Sequence, residues 1–291
     1  MPHIEFASVV NALILGLSIA SIWLIAAIGL TIIYGTVGVI NMAHGEFLML
    51  GAYMTVTFYR LDVGFWVAAI LGSLSVGVFG IVMERCLIRF LYGRLAAMML
   101  ATWGLSLIMI QVVTLIFGTS TQSLPTPLGS FKIGDYSFSD YSLVVDVAAL
   151  VMLALVYVVF TKTRYGVMAR AATLDATMAS GIGIDVRRIN MLTFGFGAAL
   201  SGLGGALLSA LAGVVPTFGQ QYVGNAFMTV ISGGAAVLTG TASASVLLGG
   251  VQGIVSNAST SFFGSISLLL LAIVLLRFMP NGISGKWGRR F

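Results

Sequence analysis

Charge is scarce in this sequence. Only 8% of its 291 residues are Asp, Glu, Lys or Arg, where an ordinary soluble chain carries about 25%. With 59% hydrophobic residues and a mean hydropathy of +1.07, most of its surface has hydrocarbon as its solvent. Cysteine is nearly absent as well. The single Cys86 excludes internal disulfides and a thiolate metal cluster. There are two histidines, His3 and His44, and a zinc site wants three or four ligands. A proton relay would need a series of carboxylates that the later apolar runs do not supply. No GxxxxGK[ST] phosphate loop occurs, so the chain has no nucleotide site of that kind. The net charge of +5 does not point to nucleic acid, because the basic residues sit in short segments between apolar runs, where topology determinants belong. No Lys or Arg precedes the first run, which continues past Leu30. It therefore reads as a retained helix and not as a cleaved signal.

What is present is a series of nine apolar stretches: Phe6 to Tyr34, Met42 to Tyr59, Val63 to Met83, Leu95 to Phe117, Tyr141 to Phe160, Ile189 to Val215, Tyr222 to Leu238, Ala242 to Ala258 and Phe263 to Leu276. A span needs roughly 20 apolar residues. The expected fold is an all-α polytopic bundle of about eight to ten segments, forming one transmembrane domain over residues 1–291. The second, seventh and eighth stretches are short or Gly-rich, which suits half-helices or re-entrant segments. Three clusters hold every Lys and Arg except Arg60 and Lys132: Arg85, Arg89 and Arg94; Lys162, Arg164, Arg170, Arg187 and Arg188; Arg277, Lys286, Arg289 and Arg290. Nine crossings from an outside N-terminus put all three clusters and the C-terminus in the cytoplasm, and Thr119 to Asp140 outside.

Small residues recur every fourth position at Gly197, Ser201, Gly205 and Ser209, and again at Thr241, Ser245, Gly249, Gly253 and Asn257. Close helix packing is the expected role of both stripes, with Asn257 the member best suited to a polar path. The region from Tyr34 to Tyr53 places Asn41, His44 and Glu46 among glycines inside apolar surroundings. Broken backbone at that depth must be buried in protein or line an aqueous cavity. If this region is helical, Asn41, His44 and Gly45 share a face. The plain alternative is that His44 and Glu46 only brace a kinked helix. Between Pro216 and Gly240, the side chains Gln220, Gln221, Asn225, Thr229 and Ser232 form a second polar interruption. Its uncharged donors and acceptors suit a neutral solute, or else hydrogen bonds between helices. Lys162 to Asn190 is too polar to span yet carries helical signals, with Gly181 and Gly183 as stops. It is either an ordinary basic loop or a short helix that docks a cytoplasmic partner.

The run from Gly35 to Tyr53 around Asn41-Met42-Ala43-His44-Gly45-Glu46 resembles the signature of branched-chain amino-acid-type permeases of ABC importers, a family that includes urea and amide members. Thr163-Arg164-Tyr165-Gly166 with Arg170-Ala171, Asp175, Met178-Ala179 and Gly181-Ile182 is similar to its cytoplasmic loop. The sixth-helix start at Thr193-Phe194 and the ending Arg277 to Gly282 also fit. Gly219-Gln220-Gln221-Tyr222 followed by Ala226-Phe227-Met228 looks closest to the urea and short-chain amide permeases, although Gly233 to Ala244 departs from the usual GGxGxxxGAxxG. The resemblance implies a non-catalytic subunit of a bacterial inner-membrane importer for urea or short-chain amides, with branched-chain or neutral amino acids the alternative and a stand-alone channel the further one. It implies a heterodimer with a second related permease, two cytoplasmic ATPase subunits that bind the ATP and Mg, and a periplasmic or lipid-anchored binding protein. No cofactor belongs to this chain, and membrane lipid surrounds it. The substrate path would run by Asn41, His44, Glu46, Gln220, Gln221, Asn225, Thr229 and Ser232. The loop at about 162–188 would couple to the ATPases through Arg164, Gly166, Arg170, Asp175 and Gly181.

Overall fold

The computed structural model describes residues 6–133, 136–234, 236 and 238–286. His3, Ala235, Val237, Arg289 and Arg290 lie outside the described residues. Each of the nine apolar stretches is a helix, and two more helices fill the basic loop. They are α1 (Phe6–Val37), α2 (His44–Tyr59), α3 (Phe65–Cys86), α4 (Leu95–Phe117), α5 (Asp140–Lys162), α6 (Arg164–Leu174), α7 (Ala176–Gly181), α8 (Val186–Leu208), α9 (Gln220–Gly233), α10 (Thr239–Ala258) and α11 (Ser261–Phe278). Among the described residues, segments that include α1, α3, α4, α5, α8 and α11 are long and apolar enough to cross a membrane; these six candidates stand against the nine crossings counted from sequence. The helices outside that set are α2, α9 and α10 in the membrane region, which are the stretches that read as short or Gly-rich. One departure from an all-α chain is a hairpin, β1 (Ser130–Ile133) and β2 (Tyr136–Ser139), paired antiparallel from Ser130↔Ser139 to Ile133↔Tyr136. Its Ser-Phe-Lys-Ile and Tyr-Ser-Phe-Ser alternate with the period of a strand.

The chain divides into two compact units whose boundaries cut through α1, α5 and α9. Residues 26–125 and 154–224 form one unit, built around α2. Eleven of the 16 residues of α2 are buried, so it is largely a core element. It lies against α3 and α8, which also pack on each other. Glycine makes this possible: Gly51 meets the Gly202 backbone, Gly205 meets the Leu48 backbone, and Gly197 lies on Gly29. Without apolar burial to drive association in lipid, such close approach supplies the dispersion contact. Phe47 sits edge-on to both Phe79 and Phe194 at 6.4 and 6.0 Å between ring centres. α8 starts at Val186, seven residues before the Thr193 start expected from sequence, because the Asp185 carboxylate accepts the Arg188 N–H at 3.1 Å and caps it.

Residues up to 25, 126–153 and from 225 onward form the other unit. Here α1 and α10 approach through Gly16, Ala20, Gly249 and Gly253. Asn11 Nδ2 donates to Asn257 Oδ1 at 2.5 Å, and Trp23 Nε1 donates to Gln252 Oε1 at 2.7 Å. Asn257 thus joins two helices. α11 packs on α10, with Gly264 against Ser256. Gly234 and Gly282, both at positive φ (82° and 73°), lie back to back. That contact seats the turn after α9 on the segment following α11.

Candidate functional site

α1 ends at Val37 and Gly38 turns the chain with φ of 71°. Residues 38–43 then run outside regular helix until α2 begins at His44. Asn41 is therefore not on a helix face with His44, as the spacing suggested. It lies in the turn, where its Oδ1 accepts the Ala43 N–H at 3.0 Å while Thr102 Oγ1 accepts the Met42 N–H at 3.1 Å. His44 Nε2 lies 3.1 Å from the Ala26 carbonyl oxygen, with Ser201 Oγ 3.5 Å away. A carbonyl only accepts, so Nε2 carries the proton and Nδ1 is a lone-pair acceptor. Ser106 Oγ donates to Glu46 Oε1 at 2.7 Å.

These partners fix the depth of the break. Ala26 lies inside α1, Thr102 and Ser106 inside α4, and Ser201 inside α8, each well away from its helix ends. α2 thus starts part-way along three long apolar helices. Asn41, His44 and Glu46 are fully or almost fully buried. Asn41 Nδ2, His44 Nδ1 and Glu46 Oε2, and further along α2 the Tyr53 hydroxyl, are buried without a hydrogen-bond partner among the described residues.

The second interruption arrives at the same level. After α8 the chain runs from 209 to 219, pinned by a bridge between Val214 and Gln122, and Arg60 also donates to Gln122. It reaches α2 at Gly219, whose backbone touches that of Gly45. α9 begins at the next residue, so two helices start where two backbones meet. Gln220 and Gln221 are exposed and Asn225 is half-buried. Further along α9, Thr229 is buried and donates to the Asn225 carbonyl at 2.8 Å, while buried Ser232 Oγ has no partner among the described residues. Asn41, His44 and Glu46 thus stand together around the start of α2, with Gln220 and Gln221 just beyond the contact. Thr229 and Ser232 lie two to three turns away along α9.

In the basic loop, Thr163 Oγ1 accepts the Gly166 N–H at 3.2 Å and caps α6. Gly166 is buried against the Phe160 backbone, Arg164 is exposed and Arg170 is half-buried. Asp175 accepts the Thr177 and Met178 N–H groups, both at 2.9 Å, so the loop is two capped helices and not one. Gly181 is exposed with no atom near its α-carbon hydrogen. Burial raises the Tyr165 hydroxyl above its ordinary value, partly offset by its 2.5 Å contact with Thr193. Leu174, Met178 and Ile182, four residues apart, are all at least 75% exposed.

Two buried acids escaped the sequence reading. Asp146 in α5 is nearly buried, with Ser18 Oγ 3.4 Å from Oδ2. Glu84 near the end of α3 is buried and accepts the Tyr92 hydroxyl at 2.8 Å. Burial, together with that bond, pushes the tyrosine's proton affinity up. A lone Asp inside a 20-residue apolar run was the available signal for the first.

Comparison with known proteins decides the family. The model of the family described as branched-chain amino acid transport system / permease component matches residues 12–279. The chain belongs to this family. It is 30% identical to the high-affinity branched-chain amino acid transport system permease protein LivH of Escherichia coli, over 93% of this chain and 94% of that one. It is 31% identical to the corresponding permease protein BraD of Pseudomonas aeruginosa, covering 97% of each chain. With the permease protein LivM of Escherichia coli it shares 24% identity over 91% of this chain and 68% of the relative. No solved structure matches the chain. The protein is a multi-pass membrane protein of this permease family.

Proposed function

We propose that this chain is the permease subunit of an ATP-driven ABC importer for branched-chain or similar neutral amino acids. It conducts solute past the junction of α2 and α9. The observation that carries this reading is the meeting of two polar helix starts at Gly45 and Gly219, part-way along long apolar helices, with the Gln220 and Gln221 amides exposed beside it. Exposed amides at that level need a polar surrounding, which an aqueous path shared with a second permease subunit supplies. Each amide both donates and accepts, so it can serve the ammonium and the carboxylate of a zwitterion without a fixed charge. His44, Glu46 and Asn41 are walled in by α1, α4 and α8, and act as positioning residues that hold the break. The names of the relatives favour amino acids over the urea or amide solute suggested by Gly219 to Tyr222.

The contacts of α1 support an external N-terminus. Thr173 Oγ1 of α6 donates to the Thr36 carbonyl at 3.0 Å, so the end of α1 lies beside the most basic loop. The positive-inside rule makes that end cytoplasmic and the N-terminus external. α2 is about 24 Å long at 1.5 Å per residue, short of a hydrocarbon core of about 30 Å. The non-helical 38–43 supplies the rest of the crossing. The capped α6–α7 loop with its apolar row Leu174, Met178 and Ile182 is the docking face for a cytoplasmic ATPase. The chain itself is non-catalytic, ATP and Mg belong to the partners, and a solute-binding protein delivers the cargo. Uptake of labelled leucine and labelled urea by cells carrying the complete transporter tests this. Leucine is expected to enter, and Gln220→Ala to lower uptake between about two-fold and ten-fold through loss of one polar contact to the solute worth about 0.5–1.5 kcal/mol. Urea uptake without leucine uptake would replace the solute assignment; leucine uptake indifferent to Gln220→Ala and Asn225→Ala would move the path elsewhere.

A further inference from the structure

Away from the α2–α9 junction, α4 stands off from α3 and leaves a groove of about 540 Å³ over the outer side of α2. Leu50 and Met54 form its floor, Val78 and Val82 one wall, and Leu105 and Val112 the other. The sole hydroxyl in its lining, that of Ser75, donates to the Leu71 carbonyl of its own helix at 2.8 Å. The groove therefore offers nothing to an amino acid or any other polar solute.

The exposed row Leu74, Val78 and Val82 on α3 leads on to Arg85, three residues past the groove and about 4.5 Å further along the helix. Arg85, Arg89 and Arg94 are all exposed there, and none forms an ion pair with a described residue. The acid in that stretch, Glu84, is buried and taken by Tyr92. Arg89 lies 5.4 Å over the ring of Phe90, itself exposed, an aromatic–cation pair suited to headgroup depth. Arg85 thus stands just past one end of a dry groove, with Arg89 four residues further along the chain, and neither is compensated by a described acid.

We propose that this groove is a binding site for one anionic phospholipid, with an acyl chain between α3 and α4 and the phosphate held by Arg85 and Arg89. A long hydrocarbon joined to an anion is the chemistry that satisfies both ends at once, and basic clusters just beyond a membrane helix attract anionic lipid. Guanidinium also suits a phosphate through paired N–H donors. A helix of a partner permease would fill the apolar part but leave the arginines uncompensated.

The test is native mass spectrometry of the tagged chain, purified in mild detergent with whatever subunits accompany it, after exchange into phosphatidylglycerol or phosphatidylcholine. One phosphatidylglycerol per copy is expected to survive washing that removes phosphatidylcholine. The double variant Arg85→Gln, Arg89→Gln should lower its retention at least ten-fold. Val78→Trp, which fills the groove and leaves the arginines in place, should do the same. Both variants are compared only as monodisperse material, and either alone suffices if the other fails to fold. Equal retention of the two lipids, unchanged retention in both variants, or a cross-link from Val78→Cys to a partner subunit would overturn the proposal.

Discussion

An alanine at Gly45 isolates the backbone contact on which the junction depends. Its methyl would lie 2.6 Å from the Gly219 carbonyl oxygen, 2.9 Å from its carbon and 3.1 Å from Val223 Cβ. Ordinary contact begins at 3.4 Å, so the oxygen must retreat by 0.8 Å (3.4 minus 2.6), and it belongs to backbone, which cannot rotate away. Such overpacking costs about 1–3 kcal/mol, while Ala in place of a helical Gly returns up to about 1 kcal/mol. A net loss of about 1–2 kcal/mol is expected, which lowers the melting temperature by roughly 2–4 °C per kcal/mol in a chain of this size. Gly104 in α4 and Gly224 in α9 supply the control, since nothing lies within 4 Å of an added methyl at either. Gly104→Ala and Gly224→Ala should leave melting unchanged or raise it. Thermal unfolding of the four proteins in detergent, followed by tryptophan fluorescence, reads both signs. Equal melting of Gly45→Ala and the two controls would refute the idea that the two breaks are locked backbone to backbone.

The remaining predictions concern the brace and the orientation. His44→Ala removes the donor to the Ala26 carbonyl and the ring that meets Phe47 at 6.2 Å, and should destabilise by about 2 kcal/mol or more. His44→Gln, which can still donate, should recover most of that in the same melts; if it does not, the hydrogen bond is not what matters. In a Cys86→Ser background, a cysteine at exposed Gly93, between α3 and α4, and another at Asp62, between α2 and α3, should label from the cytoplasmic and the external side respectively with an impermeant maleimide. The reverse pattern would invert the topology.

How much of this was legible beforehand depends on the range of the interaction. The nine apolar runs are a local signal, and each became a helix. The stripe through Gly197, Ser201 and Gly205 also reads correctly as close packing, because a four-residue repeat fixes a helix face. The start of α8 was misplaced although Asp185 was there to mark it; a capping acid within a basic loop reads as one more loop charge. The shared face of Asn41 and His44 depends on the region being helical, and spacing alone does not reveal the turn that Gly38 makes at positive φ. Asp146 was passed over because one acid barely lowers the hydropathy of a long window. The depth of the break was beyond reach altogether: it depends on Ala26, Thr102 and Ser201, which come together only through the packing of three distant helices.

Where Gly51 meets Gly202 and Gly205 meets Leu48, backbone rests on backbone with no side chain between. Such a joint has no slack. Advancing α2 by a single residue would bring a Cβ into a place where only hydrogen fits, so α2, α3 and α8 move as one mechanical part. Any rearrangement within this unit has to carry α2 and α8 together.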